Sequence, residues 1–188
     1  MKRKLSQNGL ELIKKYEGCR LKAYQDIGGV WTIGYGHTGG VKKGQTITQK
    51  QADNLLVQDT NRFVDHVNKF MGVYQFNQNQ FDALVSFAYN IGNINTLTKN
   101  GKMGINEISK RIPLFCNCNG KKVTGLVLRR ADEKRLFDTI IKLSIHEISK
   151  QVIQGMWGNG EERKRRLVES GYNYEEVRKC VNEMLKGK

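Results

Sequence analysis

Seven glycines, Gly28, Gly29, Gly34, Gly36, Gly39, Gly40 and Gly44, interrupt the stretch from Ala23 to Ile47, and that density leaves no room there for a helix or a long strand. The runs Val30-Trp31-Thr32-Ile33 and Thr46-Ile47 survive as short β segments, so the stretch reads as a small antiparallel sheet with glycine turns. On both sides the pattern becomes helical. Ser6 is placed to cap a helix over residues 7–18, with Leu10, Ile13 and Tyr16 on one face and Gly18 as its stop. Thr48 and Gln51 fit a capping box opening a long helix whose face carries Ala52, Leu55, Leu56, Phe63, Val67 and Phe70. The expected fold class is α+β, a small sheet linked by this long helix to a helical lobe.

Further along, Asn77 can cap a helix with Phe81, Leu84, Val85 and Ala88 as its core face and Gly92 as its end. Residues 93–104 read as a polar loop, 105–112 as a short helix stopped by Pro113, and 117–125 as another loop. Helical periodicity resumes from Leu126 to Lys142, with Arg129, Arg130, Lys134 and Arg135 expected on its solvated side. Organisation changes near Leu143, which divides the chain into domains 1–142 and 143–188. In the tail, Ile148, Val152 and Ile153 suggest one helix, Trp157-Gly158-Asn159-Gly160 a turn, and residues 161–170 and 174–186 two more. A three-helix module of about 43 residues is near the lower limit for independent folding.

The formal charge of +14 is unevenly held. From His146 onward nine Lys/Arg face seven Asp/Glu, net +2, leaving 23 against 11, net +12, for the preceding part. Such a surface attracts polyanions without saying which. The chain has no helix-turn-helix, zinc-finger or stacking-platform signature, so no specific nucleic acid is expected. Cys19, Cys116, Cys118 and Cys180 are scattered, and with His37, His66 and His146 they form no metal-ligand spacing. Neither a metal nor an organic cofactor is expected, and the thiols read as reduced. The basic start lacks an apolar run behind it, so it fails as a secretory signal, and no stretch is long enough to span a bilayer.

Three residues in the first quarter carry potential chemistry. Glu17 falls at the helix end on the edge of the apolar stripe, where partial desolvation favours a protonated carboxyl. Asp26 sits at a glycine-flanked turn and Thr32 on the strand that follows. Two carboxyls and a hydroxyl are the parts needed to hydrolyse a glycosidic bond, one acid protonating the leaving oxygen and the other helping water attack. Taken singly each has a plainer role: a solvated helix-end Glu, a turn Asp bonding its own backbone, an ordinary strand Thr. His37 alone is more often a hydrogen-bonded structural histidine than a base. In the tail, Trp157 beside Arg163 and Arg166 suits a sugar or peptide ligand if exposed and a small core if buried; periodicity leaves both open.

The motifs together resemble a known family. Tyr16-Glu17-Gly18, Ala23-Tyr24-x-Asp26 and Trp31-Thr32-Ile33-Gly34-Tyr35-Gly36-His37-Thr38 resemble the phage-type muramidases of glycoside hydrolase family 24, as do the runs from Gln80 to Gly92 and Gly125-Leu126-x-x-Arg129-Arg130-x-x-Glu133. Several linked motifs in order, over roughly residues 6–138, are far more specific than any one. The segment Phe115-Cys116-Asn117-Cys118-Asn119 departs from many relatives, which carry a tryptophan-containing loop there. The resemblance implies a lysozyme-like two-lobe fold and cleavage of the β-1,4 bond between N-acetylmuramic acid and N-acetylglucosamine in peptidoglycan. It implies Glu17 as general acid, Asp26 and Thr32 as positioners of water, an inverting outcome, and Tyr24, Tyr35 and His37 as substrate contacts.

The tail resembles the CW-seven wall-binding repeat of phage endolysins, through Val152-Ile153-x-Gly155-x-Trp157-Gly158-Asn159-Gly160-x-x-Arg163-x-x-Arg166-Leu167 and Gly171-Tyr172-x-Tyr174. That resemblance implies muropeptide binding, with Trp157, Arg163 and Tyr172 as contacts. Expected alongside are a monomer held in the host cytoplasm until a membrane-permeabilising phage partner releases it. The rival readings are a lytic transglycosylase, a wall-binding protein without catalysis and a basic nucleic-acid-binding protein.

Overall fold

A 14-residue helix with eight consecutive buried residues, Phe81 to Ala88, organises the larger part of the molecule. A helix buried on every side must be surrounded by other elements, and this one packs against three other helices. The computed structural model describes residues 2–140 and 143–186. The chain divides into two compact units, Met1–Ile140 and Ile141–Lys188. The boundary expected between residues 142 and 143 adjoins residues outside those described.

In the first unit, helix α1 (Gln7–Glu17) leads into strands β1 (Arg20–Gln25) and β2 (Trp31–Gly34), which pair antiparallel. Arg20 lies opposite Gly34 and Tyr24 opposite Thr32, with a register irregularity between that lets the strand bend. The expected Thr46–Ile47 strand is a bridge to β1, Lys22 opposite Thr46, with Ala23 N–H donating to the Gln45 carbonyl and Ile47 N–H to that of Leu21. Residues 20–22 had no clear strand signal, because β1 is largely exposed and lacks alternation.

Helix α2 (Gln49–Asn68) opens with the expected Thr48–Gln51 capping box, and α3 (Gln78–Ile91) with an Asn77–Gln80 box. The core is built from α2's Ala52, Leu56, Phe63 and Val67 against α3, with Ile13 from α1 and Phe137 from α6 (Thr124–Asp138). Between α3 and α6 lie α4 (Asn95–Thr98), α5 (Ile105–Arg111), a 3-10 turn over Ile112–Leu114 containing Pro113, and a two-stranded hairpin of β3 (Asn117–Cys118) and β4 (Lys121–Lys122). Both of the loops expected here thus contain short elements.

Three further expectations are corrected. Ser6 does not cap α1 with its side chain; its hydroxyl donates to Asp82 at 2.5 Å and its N–H to the same carboxylate, which ties α1 to α3. Helix α6 ends at Asp138 rather than Lys142. Arg129 and Arg130 are 3% and 0% exposed, so α6 turns them inward instead of presenting a basic face.

In the second unit, α7 (Ile145–Ile153), α8 (Gly160–Glu169) and α9 (Tyr174–Lys186) enclose Ile148, Val152, Leu167, Val177 and Val181. Ser144 and Glu147 form a capping box at the start of α7.

Candidate active site

Helix α1 delivers Glu17 as its last residue, anchored from behind by buried Ile13. Gly18 then adopts φ +67° and ψ 165°, a conformation essentially restricted to glycine, and the chain turns straight into β1. The Glu17 side chain keeps a quarter of its exposure, and its Oε1 accepts a hydrogen bond from Arg129 Nη1 at 2.6 Å. A guanidinium therefore faces this carboxyl, where an apolar edge was expected.

Asp26 follows β1 directly and shapes the turn to β2. Its N–H donates to the Val30 carbonyl at 3.0 Å, its carbonyl accepts from Gly29 N–H at 2.9 Å, and Oδ1 accepts from Val30 N–H at 2.8 Å. One carboxylate oxygen does the expected turn duty; the other has no hydrogen-bond partner among the described residues, and the residue is exposed. Thr32 is 4% exposed, opposite Tyr24, and its hydroxyl donates to the Val30 carbonyl at 3.0 Å. Its oxygen can still accept a bond.

Behind Glu17 lies a buried ionic cluster. Arg129 Nε donates to Glu133 Oε1 at 3.1 Å and Nη2 to the Ser86 carbonyl at 3.2 Å, while Ser86 Oγ donates to the same Glu133 oxygen at 2.8 Å. Arg130 Nη1 lies 3.0 Å from Glu133 Oε2, and Arg130 Nη2 donates to Asn90 Oδ1 at 2.5 Å. Burial pushes the Glu133 carboxyl up from its ordinary value, opposed by Arg130 and Arg129, and pulls the Arg130 guanidinium down. Desolvating such ions costs several kcal/mol each unless they are well paired. No local signal links Glu17 to a residue 112 positions away. The spacing of Arg129, Arg130 and Glu133 was a signal, since i,i+3 and i,i+4 charges share a helix face, but it does not say whether that face is wet or dry.

The expected substrate contacts hold varied positions. Tyr24 is half-buried beneath the Arg20 guanidinium, 4.3 Å from its ring centre. Tyr35 is 8% exposed, its hydroxyl accepts from Gln49, and burial raises it above its ordinary value, with Asp53 adding to the effect. His37 has both ring nitrogens engaged, Nδ1 with Asp59 at 3.0 Å and Nε2 with the Gly39 carbonyl at 2.9 Å. His37, Asp59, Arg62 and Tyr89 line a hollow of about 330 Å³. An adjoining one of about 510 Å³ shares Arg62 and Tyr89 and adds His66 and Lys69. The Tyr89 hydroxyl donates to the Tyr35 carbonyl at 3.2 Å, and burial raises it well above its ordinary value, helped by the charges of Glu17 and Asp59. Tyr89 thus lies within electrostatic reach of both carboxylates, a position its spacing in α3 did not reveal.

In the second unit Trp157 is half-buried rather than exposed. It packs on that core edge-on to Tyr172 at 6.1 Å, and its Nε1 donates to Gln151 at 3.0 Å. The Tyr172 hydroxyl accepts from Leu143 N–H at 2.8 Å, and Arg163 donates to the Gly158 carbonyl and to Asn159. The Arg166 guanidinium stands 5.9 Å from the Trp157 ring centre.

Comparison with known proteins bears directly on this arrangement. The phage lysozyme family model matches residues 14–133 and the CW_7 repeat matches residues 146–185. The endolysin of Bacillus phage PZA is 43% identical over 145 residues, covering 72% of this chain and 55% of that protein. The endolysin of Lactococcus phage c2 is 44% identical over 138 residues, covering 72% and 60%. The chain therefore matches little more than half the length of these two relatives. The muramidase domain of SpmX from Asticaccaulis excentricus superimposes with a TM-score of 0.66 at 38% identity, covering 73% of this chain and 99% of that one. Because a single family model spans more than half of the sequence and takes in Glu17, Asp26, Thr32, Arg129 and Glu133, this chain belongs to the phage lysozyme family, with a CW_7 repeat after the matched segment.

Proposed function

We propose that this chain is an endolysin muramidase that adds water across the β-1,4 bond between N-acetylmuramic acid and N-acetylglucosamine in bacterial peptidoglycan. The observation that carries the reading is Glu17 at the end of α1, its carboxylate 2.6 Å from Arg129 Nη1 and followed at once by the strand pair bearing Asp26 and Thr32. Glu17 protonates the leaving glycosidic oxygen, and Arg129 stabilises the carboxylate left behind. Asp26, through its uncommitted oxygen, and Thr32 orient the attacking water on the opposite face of the sugar. Inversion follows from that division of labour, and it requires the two carboxyls to lie about 6.5 to 9.5 Å apart with substrate bound. Tyr24, Tyr35 and His37 shape the adjoining cleft. Side chains and water suffice for these steps.

The larger unit is then the catalytic domain and the smaller a wall-binding domain, with Trp157, Arg163 and Tyr172 contributing to muropeptide binding. In the cell the protein is a monomer held in the host cytoplasm until a membrane-permeabilising phage partner gives it access to the wall. Glu17→Gln should lower reducing-end release from purified peptidoglycan on the order of 10²- to 10⁴-fold while wall binding persists; retained activity would refute the acid role. A lytic transglycosylase would cleave the same bond with one acid and leave anhydro-muramic ends. The Asp26 and Thr32 pair favours hydrolysis, and mass spectrometry of the digest separates the two products.

A further inference from the structure

Glu133 and Arg130 are buried ions with no assigned part in this reaction. An apolar pair of similar size would hold α6 to α3 as well or better, since burying charge seldom adds net stability. Their geometry points to another use. A guanidinium is a rigid planar fork, so fixing two of its edges fixes the third. For Arg129, Glu133 holds Nε and the Ser86 carbonyl holds Nη2, which aims Nη1 at Glu17. Glu133 is itself held. Its Oε1 takes the Ser86 hydroxyl; its Oε2 is paired with Arg130 Nη1 at 3.0 Å by charge alone, neither atom making a hydrogen bond among the described residues, and Arg130 is held by Asn90 and by the Phe87 ring, 4.6 Å from its guanidinium carbon.

We propose that Glu133 is a positioning residue for Glu17: it locks the Arg129 guanidinium onto the Glu17 carboxylate and offsets the positive charge presented there. This rests on Glu17 being the proton donor. Written as ions, Arg129, Arg130 and Glu133 carry one net positive charge. It is unbalanced while Glu17 holds its proton and balanced once the proton has gone to the leaving oxygen, so the cluster favours the carboxylate that proton transfer creates. Without Glu133 two positive charges would stand behind Glu17 where the intact cluster presents one. Among the described residues, the titratable groups facing the cluster include Tyr16, whose ring lies 5.6 Å from the Arg129 guanidinium carbon and whose hydroxyl bonds Asp132, Tyr89, and Cys116 on the Arg130 side. Both phenols are raised above their ordinary values and stay neutral in the working range.

The test uses the full chain and soluble peptidoglycan fragments. Glu133→Gln keeps the volume and removes the charge: kcat should fall on the order of 10- to 100-fold with KM within about two-fold, and the alkaline limb of the pH–rate profile should move to lower pH. Glu133→Asp, which restores the charge on a shorter arm, should return that limb towards its original position. A Glu133→Gln protein that melts earlier but keeps its kcat and its alkaline limb would show a merely structural residue and overturn the proposal. Should Glu133→Gln fail to fold, Ser86→Ala takes its place, since it keeps every charge and removes one bond to Glu133 Oε1. It should lower kcat about five-fold at unchanged KM, and an unchanged kcat would overturn the proposal equally. Activity surviving in Glu17→Gln would instead sink the underlying acid assignment, whatever Glu133 does.

Discussion

Gly9 lies on α1 where it packs tightly on Asp82 of α3. A Cβ there would fall 2.4 Å from Leu5 Cδ1 and 2.9 Å from Asp82 Cβ. The leucine methyl can swing aside, but Asp82 is pinned by the Ser6 N–H, the Ser6 hydroxyl and the Gln78 amide. Gly9→Ala should therefore destabilise the protein by about 1–3 kcal/mol in urea unfolding, although alanine is the better helix former; equal or greater stability would mean that α1 can shift without cost. His66 makes a second prediction at this scale. Its Nε2 accepts the Ile94 N–H at 3.3 Å, and burial, reinforced by Lys69, holds the imidazole below its ordinary 6.5. A histidine with a depressed folded pKa stabilises while neutral, so its contribution is full above pH 6.5 and is lost as pH falls through the folded value. The melting temperature should drop more between pH 7.5 and 5 in the parent than in His66→Gln, whose amide oxygen can keep the Ile94 bond. Parallel drops would remove His66 from the account.

At the scale of elements, Asp132 docks α6 onto α1. Its carboxylate accepts from the Tyr16 hydroxyl at 2.6 Å and Lys15 at 2.5 Å, with Arg135 also paired to it. The bonds from Lys15 and Tyr16 hold this carboxyl below its ordinary 3.8. A depressed carboxyl stabilises above its unfolded value and loses that contribution as pH falls through the folded one. Asp132→Asn should thus be less stable than the parent at pH 7, with the gap closing towards pH 2; a constant gap in the melting curves would reject the linkage. The Thr48–Gln51 capping box and the Asn77 cap are local patterns and recur in the structure, because the partners lie three residues apart; that Gln80 completes a second box with Asn77 is the structure's addition. The glycine-rich sheet was likewise visible through its turns. The inward rotation of Arg129 and Arg130 was not, because their partners Glu17, Ser86 and Asn90 lie 40 to 112 positions away and only the tertiary fold brings them near. The candidate site has the same divide: Glu17, Asp26 and Thr32 lie on one short run, while Arg129, Arg130 and Glu133 are legible as a helix motif but not as neighbours of Glu17.

Over the whole molecule, charge and division into units suggest separate contributions to wall activity. The first 145 residues carry net +12 and the remainder net +2. On the reading proposed above, long-range attraction to an anionic wall belongs mainly to the catalytic unit, and short-range recognition to the repeat. Attraction between exposed charges is screened over about 8 Å at physiological salt and about 3 Å at 1 M, whereas the aromatic contacts proposed for Trp157 and Tyr172 would be much less salt-sensitive. Raising salt from about 0.05 M to about 0.5 M should therefore slow digestion of intact walls and leave turnover of small neutral fragments nearly unchanged. Deleting residues 146–188 should also weaken wall digestion while sparing fragment turnover, but the truncated chain should lose proportionally more of its remaining wall activity as salt rises, because electrostatic attraction is then its main hold. Reducing-end release measured for both chains, on both substrates and at both salt concentrations, tests this assignment. If truncation abolished the salt dependence, the attraction would have to reside in the repeat despite its small net charge, and the separation of roles would fail.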